Sequence, residues 1–267
     1  MSIMSQALRA SLGALALLSL VAPASGQGLA PGEHALSVDA FLLTRSDGAF
    51  SRDANGLVIS HAYQFSRDWQ VITQFGLTST AFEVTAGGST ATQDTDAGSF
   101  GLGVAYTGLR GATIRAMTLF GQIDEVNVVF NVPTQSAGDV RGLSLAYQQL
   151  VPLSDRLVGV ANISVAVTEG TVTTPSSLFL DDVFNRTYGA SAALAYAATP
   201  DLSLFGGVEY ATSNQIMTIT GDTELTRASL GASWAFSDQL DLRASYGMAL
   251  GAEETNNRLS LGLTHRF

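Results

Sequence analysis

Large apolar residues alternate with small or polar residues along most of the chain, with a period of two. From Leu57 to Phe65 the odd-numbered positions are large and apolar or aromatic, and the even-numbered ones are mostly small or polar. The same alternation recurs in segments 100–106, 188–196 and 240–248. Because side chains of a strand point alternately to its two faces, each segment predicts a strand with one apolar face and one small or polar face.

The predicted strands are long. Each spans roughly 10–13 residues, close to the ~9–11 that a tilted strand needs to cross a bilayer, whereas an ordinary strand has about five or six. The pattern predicts twelve of them, at 34–45, 56–66, 69–80, 97–108, 112–123, 140–152, 156–168, 187–198, 201–212, 224–236, 239–251 and 257–267.

The connections between these strands alternate in kind. Tight turns rich in Gly, Pro, Asp and Ser are predicted at 66–68, 108–111, 153–155, 199–201 and 237–239. Longer polar segments separate them, at 45–56, about 81–96, 124–139, 169–186 and 213–223, with a short one near 252–256. An even number of strands with short turns at one end and long loops at the other predicts an all-β, antiparallel transmembrane β-barrel, with short periplasmic turns and longer extracellular loops. A propeller would need four short strands in each repeat of about 40–45 residues, and here each repeat holds two long ones.

Aromatic residues recur at one level of the predicted barrel, beside the tight turns. Amphipathic rings settle at the headgroup depth of a membrane, whereas a soluble β-sandwich scatters its aromatic residues through a core. The recurrence predicts a periplasmic girdle, formed by Tyr63, Phe65, Trp69, Tyr106, Tyr147, Tyr196, Trp234 and Phe236.

The first 26 residues have the features of a secretory signal peptide. Arg9 is their one charge, an apolar run follows from Leu12 to Ala22, and small residues stand at Ala24 and Gly26, where cleavage is expected. The apolar run is too short to span a bilayer. We therefore expect export through the inner membrane and a single barrel domain over 27–267.

Composition supports a membrane barrel and excludes several other classes. The chain is 46% hydrophobic and 13% charged, yet beyond the signal segment it has no uninterrupted apolar run near the ~20 residues of a membrane helix. The lack of cysteine excludes disulfides and thiolate sites. The 13 basic and 23 acidic residues argue against a nucleic-acid partner, because phosphate binding needs clustered positive charge.

The segment from Ser260 to Phe267 resembles the C-terminal assembly signal of Gram-negative outer-membrane β-barrels. Ser260, Gly262 and Phe267 match the pattern polar-x-Gly-x-x-aromatic-x-aromatic, with His265 in place of the usual aromatic residue. The resemblance implies a location in the outer membrane and two partners, the outer-membrane assembly machinery and lipids including lipopolysaccharide. The chain is also similar to small porin-like barrels and to the twelve-stranded translocators of autotransporters, although only about ten residues separate the cleavage site from the first strand, which leaves no room for a passenger.

Strand parity places several charged residues on the inward face of the barrel. Charges facing a lumen must pair or meet water. They predict either a water-filled passage with an electric field or a plugged barrel with structural ion pairs, such as Arg243 with Glu209. The candidates are Asp39, Arg115, Glu209, Arg227, Asp241, Arg243 and Arg258.

The long polar segments are rich in acidic residues, accompanied by fewer arginines. Such a rim would attract cations, favouring cation passage or divalent-cation bridges to the lipid surface. The acidic residues are Asp47, Asp53, Glu83, Asp94, Asp96, Asp124, Glu125, Asp181, Asp182, Asp222, Glu224, Glu253 and Glu254, and the arginines are Arg45, Arg52 and Arg186.

These features favour a small passive channel for small solutes or cations, with no enzymatic activity, cofactor or bound metal. A non-conducting structural barrel, or one that binds partners through its loops in the manner of an adhesin, is the first alternative. The second is a lipid hydrolase that uses His61, which parity places on the lipid-facing side.

Overall fold

The protein forms one closed barrel of antiparallel strands. In the computed structural model, residues 29–46, 50–86, 89–129, 132–173, 181–214, 223–251 and 255–267 are described, so the predicted signal peptide lies outside the described residues. The strands are β1 (His34–Ser46), β2 (Phe50–Gln64), β3 (Trp69–Ala86), β4 (Ser89–Leu109), β5 (Ala112–Val129), β6 (Val132–Ser154), β7 (Leu157–Thr173), β8 (Asp181–Ala197), β9 (Leu202–Ser213), β10 (Glu224–Ser237), β11 (Leu240–Ala249) and β12 (Thr255–Arg266).

Each strand pairs with its neighbour in the chain, and β1 pairs with β12 to close the barrel. The closing register runs from Ala35 opposite Arg266 to Ser46 opposite Thr255. Beyond the tight-turn end of this register, the backbone N–H of His34 donates to the carbonyl oxygen of Phe267 (2.8 Å). The backbone N–H of Phe267 donates in return to the carbonyl oxygen of His34 (3.0 Å). The predicted all-β fold of twelve antiparallel strands is therefore confirmed.

The two faces of the wall differ sharply in burial. The outward face presents large apolar side chains such as Leu230, which is 66% exposed, and Leu143, which is 64% exposed. Inward side chains are small, polar or charged, and many are almost fully buried, including Ser37, Gln64 and Asn185. This is the reverse of a soluble protein and is the arrangement typical of barrels whose outward face meets lipid.

Strands β3 to β8 are longer than predicted, with 17 to 23 residues. Much of the segments 81–96, 124–139 and 169–186, which the polarity of the sequence assigns to loops, continues the ladder instead. Only residues 87–88 separate β3 from β4. Polar cross-strand contacts extend the pairing, as where Thr85 Oγ1 lies 3.3 Å from Thr90 Oγ1. The prediction of long loops there is wrong because threonine and valine favour strands, so pairing continues into segments whose polarity indicates loops.

The extensions raise one side of the barrel well above the other. At ~3.4 Å per residue and a tilt of ~40°, the 23 residues of β6 rise about 60 Å, against an apolar band of about 25 Å. Strands β9 to β12 have only 10 to 14 residues and end near the top of the apolar band. We call the extended parts of β3 to β8 the high wall.

Among the described residues, no helix is long and apolar enough to cross a membrane.

Candidate functional site

The inward face of the barrel carries all seven charged residues that parity selects. The register brings most of them to one side, on β9 to β12 and β1, while Arg115 lies on β5 between Ala105 and Ala146. The seven are Asp39, Arg115, Glu209, Arg227, Asp241, Arg243 and Arg258.

An ion pair crosses the barrel seam near the tight-turn end. Arg243 Nη2 on β11 lies 2.7 Å from Asp39 Oδ1 on β1, so the pair passes over the intervening strand β12. At the crossing point β12 has Gly262, where a Cβ would collide with Asp39 Oδ1. Gly262, which the assembly-signal pattern selects, is therefore also the residue that leaves room for this pair.

Two further ion pairs lie below and above this one. Arg266 on β12 contacts Asp241 on β11, nearer the turns. Arg227 Nη1 on β10 lies 3.9 Å from Glu209 Oε2 on β9, and Arg227 Nη2 donates to Asn256 Oδ1 at 3.2 Å. The expected pair of Arg243 with Glu209 is wrong, because Arg243 lies opposite Ser233 of β10, whereas Glu209 lies opposite Arg227, six residues higher on that strand.

Arg258 is held by an aromatic ring. Its guanidinium carbon lies 5.0 Å from the ring centroid of Phe41, a cation–π arrangement. Phe41 is a large inward residue, and its ring covers Gly56, where a Cβ would collide with it. The positive charge of Arg258 is thus placed over a neutral group.

Four more charged residues face inward that the sequence reading did not place there. Arg45 and Arg52 lie opposite each other on β1 and β2 and are buried, as is Glu125 on β5. Arg266 was likewise not selected. Strand parity alone identifies all four, since Arg45 has the parity of Asp39 and Arg266 lies within the predicted last strand; Arg45, Arg52 and Glu125 lie in segments whose polarity predicts loops.

Glu125 lies on the inward face of the high wall, above the apolar band. The side-chain amide of Asn127 donates to Glu125 Oε1. Burial raises the pKa of Glu125, and the hydrogen bond from Asn127 opposes that rise only in part. The penalty for the buried charge is present above this raised pKa and is relieved as the pH falls through it.

Charge is distributed unequally between the two faces of the strands. Among strand side chains that the structure describes, the inward face has seven arginines and four carboxylates, and the outward face has two arginines and eight carboxylates. The inward set is Arg45, Arg52, Arg115, Arg227, Arg243, Arg258, Arg266, Asp39, Glu125, Glu209 and Asp241. The outward set is Arg141, Arg186, Asp53, Glu83, Asp94, Asp96, Asp124, Asp139, Glu169 and Glu224.

The outward charges begin where the apolar band ends. On β6, Leu143 is followed two residues higher by Arg141, which forms an exposed ion pair with Glu169 of β7. Asp47, Asp222, Glu253 and Glu254 lie outside the described residues. The predicted acidic rim is therefore, as far as the structure describes it, largely the outer surface of strand extensions.

The eight predicted girdle residues all belong to the outward-facing set at the tight-turn end. The rings of Trp69 and Tyr106 lie 5.0 Å apart, and those of Trp234 and Phe236 lie 4.4 Å apart. A second group, missed in the sequence, lies higher: Phe75, Phe100 and Phe120 are consecutive partners across β3, β4 and β5. Each stands six residues along its strand from Trp69, Tyr106 or Ile114, and this even spacing could have revealed them.

His61 lies in a stack of rings at the barrel seam. His61 Nε2 is 3.0 Å from His34 Nδ1, and the ring of His34 stacks on Tyr63 and on Phe267. His265 stacks on Phe267, so the residues at the two aromatic positions of the assembly-signal pattern meet here. The hydrogen-bonding partner of His61 is therefore another histidine rather than the serine that a hydrolase would place beside it.

Comparison with known proteins relates the chain to barrels of the outer membrane. No protein-family model matches it, and no curated protein sequence matches it significantly. The translocator domain of the autotransporter NalP from Neisseria meningitidis is similar in structure, with a TM-score of 0.70, 15% identity and 98% of each chain covered. The β domain of the autotransporter BrkA from Bordetella has a TM-score of 0.69 at 16% identity, covering 89% of this chain and 100% of that one. An outer-membrane channel from Pseudomonas putida F1 has a TM-score of 0.55 at 16% identity, covering 92% and 100%. The chain has the fold shared by these outer-membrane translocators and channels.

Proposed function

We propose that the protein lies in the bacterial outer membrane and acts there as a small passive channel. The observation that carries this proposal is the set of charged side chains on the inner wall, at the depth of the apolar band. Ionisable residues are costly at that depth and are found where they line a passage or pair with one another. The similar barrel from Pseudomonas putida F1 is a channel, which supports the same use of this fold.

The arrangement gives such a passage a defined wall. The ion pairs Arg243–Asp39, Arg266–Asp241 and Arg227–Glu209 hold long side chains against β9 to β12 and β1. The inward side chains Ser229, Ser245 and Ser260 are small and occupy neighbouring strands. Fixed charges beside small polar residues let an ion exchange part of its water shell for protein groups.

Planar-bilayer recordings of the refolded barrel test this proposal. We expect discrete conductance steps in symmetrical KCl. Ser245→Trp adds a large side chain to the inner face and should lower the step size by about half or more, since small pores are limited by their narrowest section. Ala244→Trp, one residue away on the lipid face, should leave the step unchanged. A barrel that inserts but never conducts would contradict the proposal.

The high wall favours a second function, binding of a partner at the cell surface. Strands β3 to β8 extend far beyond the length that crosses a membrane, and the outer face of these extensions is acidic. Such a surface suits divalent cations that bridge to lipopolysaccharide phosphates, or a basic partner.

Shortening the high wall separates this function from conduction. Replacing residues 80–95 and 125–136 each by a two-residue Asn-Gly turn, which retains the membrane-spanning parts of β3 to β6, should abolish attachment to host-cell or lipopolysaccharide surfaces and leave the barrel folded. Attachment that persists after the removal would reject the surface function. Retained conductance in the same variant would show that the two functions are independent.

A further inference from the structure

One register row of the inner wall has two phenylalanine–glycine pairs with two serines between them. The row crosses the sheet from β9 through β10, β11, β12 and β1 to β2, so its residues are neighbours across the strands although they are far apart in the chain. We call it the phenylalanine row, and in order it consists of Phe205, Gly231, Ser245, Ser260, Phe41 and Gly56. It rises from the tight-turn end, since Phe205 is three residues beyond Leu202, where β9 begins, and Phe41 is seven residues beyond His34, where β1 begins.

Both phenylalanine rings lie along the wall instead of projecting across the lumen. A Cβ at Gly231 would collide with the ring of Phe205, and a Cβ at Gly56 would collide with the ring of Phe41, so each ring extends over the glycine of the next strand. The guanidinium of Arg258 lies over Phe41, with its carbon 5.0 Å from the ring centroid, and presents planar N–H donors there. Phe205 is partly exposed and presents an aromatic surface to the lumen.

The serine hydroxyls between the two rings are accessible from the lumen. Ser245 and Ser260 lie directly opposite each other on β11 and β12, and both are partly exposed. Ser229 and Ser233, on either side of the row on β10, are also partly exposed. By contrast, the inward Gln74 on β3 is buried. A small solute in the lumen can therefore reach hydroxyl groups along this side of the wall.

The ion pair beside the row offers hydrogen-bonding atoms but little net charge. Arg243 is two residues from Ser245 and Asp39 is two residues from Phe41, and Arg243 Nη2 lies 2.7 Å from Asp39 Oδ1. A purely apolar solute would displace water from this pair and from the serines without replacing its hydrogen bonds, which is costly. The wall matches a neutral solute that has both a flat apolar face and hydroxyl groups.

We infer that the passage takes neutral saccharides, and that they bind along the phenylalanine row with a sugar ring on Phe205 and sugar hydroxyls on Ser245 and Ser260. The C–H groups on one face of a pyranose ring pack on the negative face of an aromatic ring. Binding sites for small molecules combine such apolar surface with a few polar groups that fix orientation. Two platforms at different depths let a solute bind in successive steps, each weak enough for it to leave. The inference rests on the proposed channel function and names its substrate class.

Block of the single-barrel current by maltotriose in symmetrical KCl tests this inference. We expect a saturable block, because a bound sugar obstructs the ions. Sorbitol at the same concentration has hydroxyls but no ring face, so it corrects for viscosity and should not block. Phe205→Leu keeps an apolar side chain without the aromatic face and should raise the half-blocking concentration by about fivefold or more, whereas Phe205→Tyr should retain the block. Phe100→Leu, on the lipid-facing side of β4, is the matched control and should change nothing.

The hydroxyl contribution is measured separately. The double variant Ser245→Ala, Ser260→Ala removes both hydroxyls and should weaken the block several-fold, because the sugar then loses hydrogen-bonding partners. Calorimetric titration of maltotriose into the folded barrel, in a detergent without a sugar headgroup, measures binding independently of conduction and should give the same order of variants.

The outcomes distinguish the two proposals. Conducting barrels that maltotriose neither blocks nor binds, or a block that is unchanged in Phe205→Leu, would overturn the saccharide inference and leave the channel function standing. Inserted barrels that never conduct would overturn both. Heat-modifiable migration on SDS gels confirms that each variant is folded before it is recorded, so a loss of block is not mistaken for misfolding.

Discussion

Replacing Gly207 by leucine should strongly destabilise the closed barrel, whereas replacing Gly206 by leucine should be tolerated. Gly207 faces inward on β9, where a Cβ would lie 2.5 Å from the carbonyl oxygen of Ala192 and 2.8 Å from the Cα of Ala193. These are backbone positions on β8 and cannot move without breaking the strand pairing. At Gly206 the nearest atom to a Cβ is the carbonyl oxygen of Ser229, at an ordinary 3.5 Å.

The expected difference between these two variants is large. Overpacking against a flexible side chain costs about 1–3 kcal/mol, and a clash with backbone should cost about 3 kcal/mol or more. Gly206→Leu adds apolar surface to the lipid-facing side and should be nearly neutral. Urea unfolding of the barrel in lipid vesicles measures both. Equal stability of the two leucine variants would show that the assignment of the faces on β9 is wrong.

Strand number and facing could be predicted because both follow from local sequence. Alternation with a period of two can be recognised within a single strand. The turn residues at 66–68 or 237–239 then mark where one strand ends and the next begins. The inward position of Asp39 or Arg243 follows from the same parity. Each of these features is set by residues that are close together in the chain.

The partners of the inward charges could not be predicted, because they depend on register between strands. Arg243 reaches Asp39 across an intervening strand, and the two are far apart in sequence. That contact needs the stagger of the closed barrel and the absence of a side chain at Gly262. Neither the stagger nor the position of Gly262 beside this pair can be predicted from the apolar–polar alternation of β11 or β1 alone.

The extent of the high wall was underestimated for a different physical reason. Above the apolar band the outward side chains are largely polar or charged, and the buried inward ones include Gln93, Glu125 and Asn127, so apolar alternation disappears although pairing continues. Residues such as Thr92 and Glu83, which are partners across β3 and β4, carry no periodic signal that separates strand from loop. The inward Arg45, Arg52 and Glu125 lie in segments that this lack of periodicity assigns to loops.

Leu230→Arg should destabilise the barrel by about 2–4 kcal/mol, the cost of an arginine at the bilayer midplane on the lipid face of a barrel. Leu230 is 66% exposed and lies between Gly206 of β9 and Tyr246 of β11, midway along the outward face of β10. Its side chain meets hydrocarbon rather than protein, so the expected loss comes from desolvation of the charge and not from a cavity.

Thr226→Arg is the matched control for depth. Thr226 is on the same strand and the same face as Leu230. It lies two residues from Glu224, where the outward charges begin. Arginine there reaches the interface and should cost about 0–1 kcal/mol. Urea unfolding in vesicles of two acyl-chain lengths measures both variants. A thinner bilayer should reduce the penalty at Leu230, because a shorter path then lets the guanidinium reach the headgroups. The charged residues of β6, β7 and β10 place the edge of the apolar band near Thr226. An equal loss of unfolding free energy in both arginine variants would show that the band does not end there.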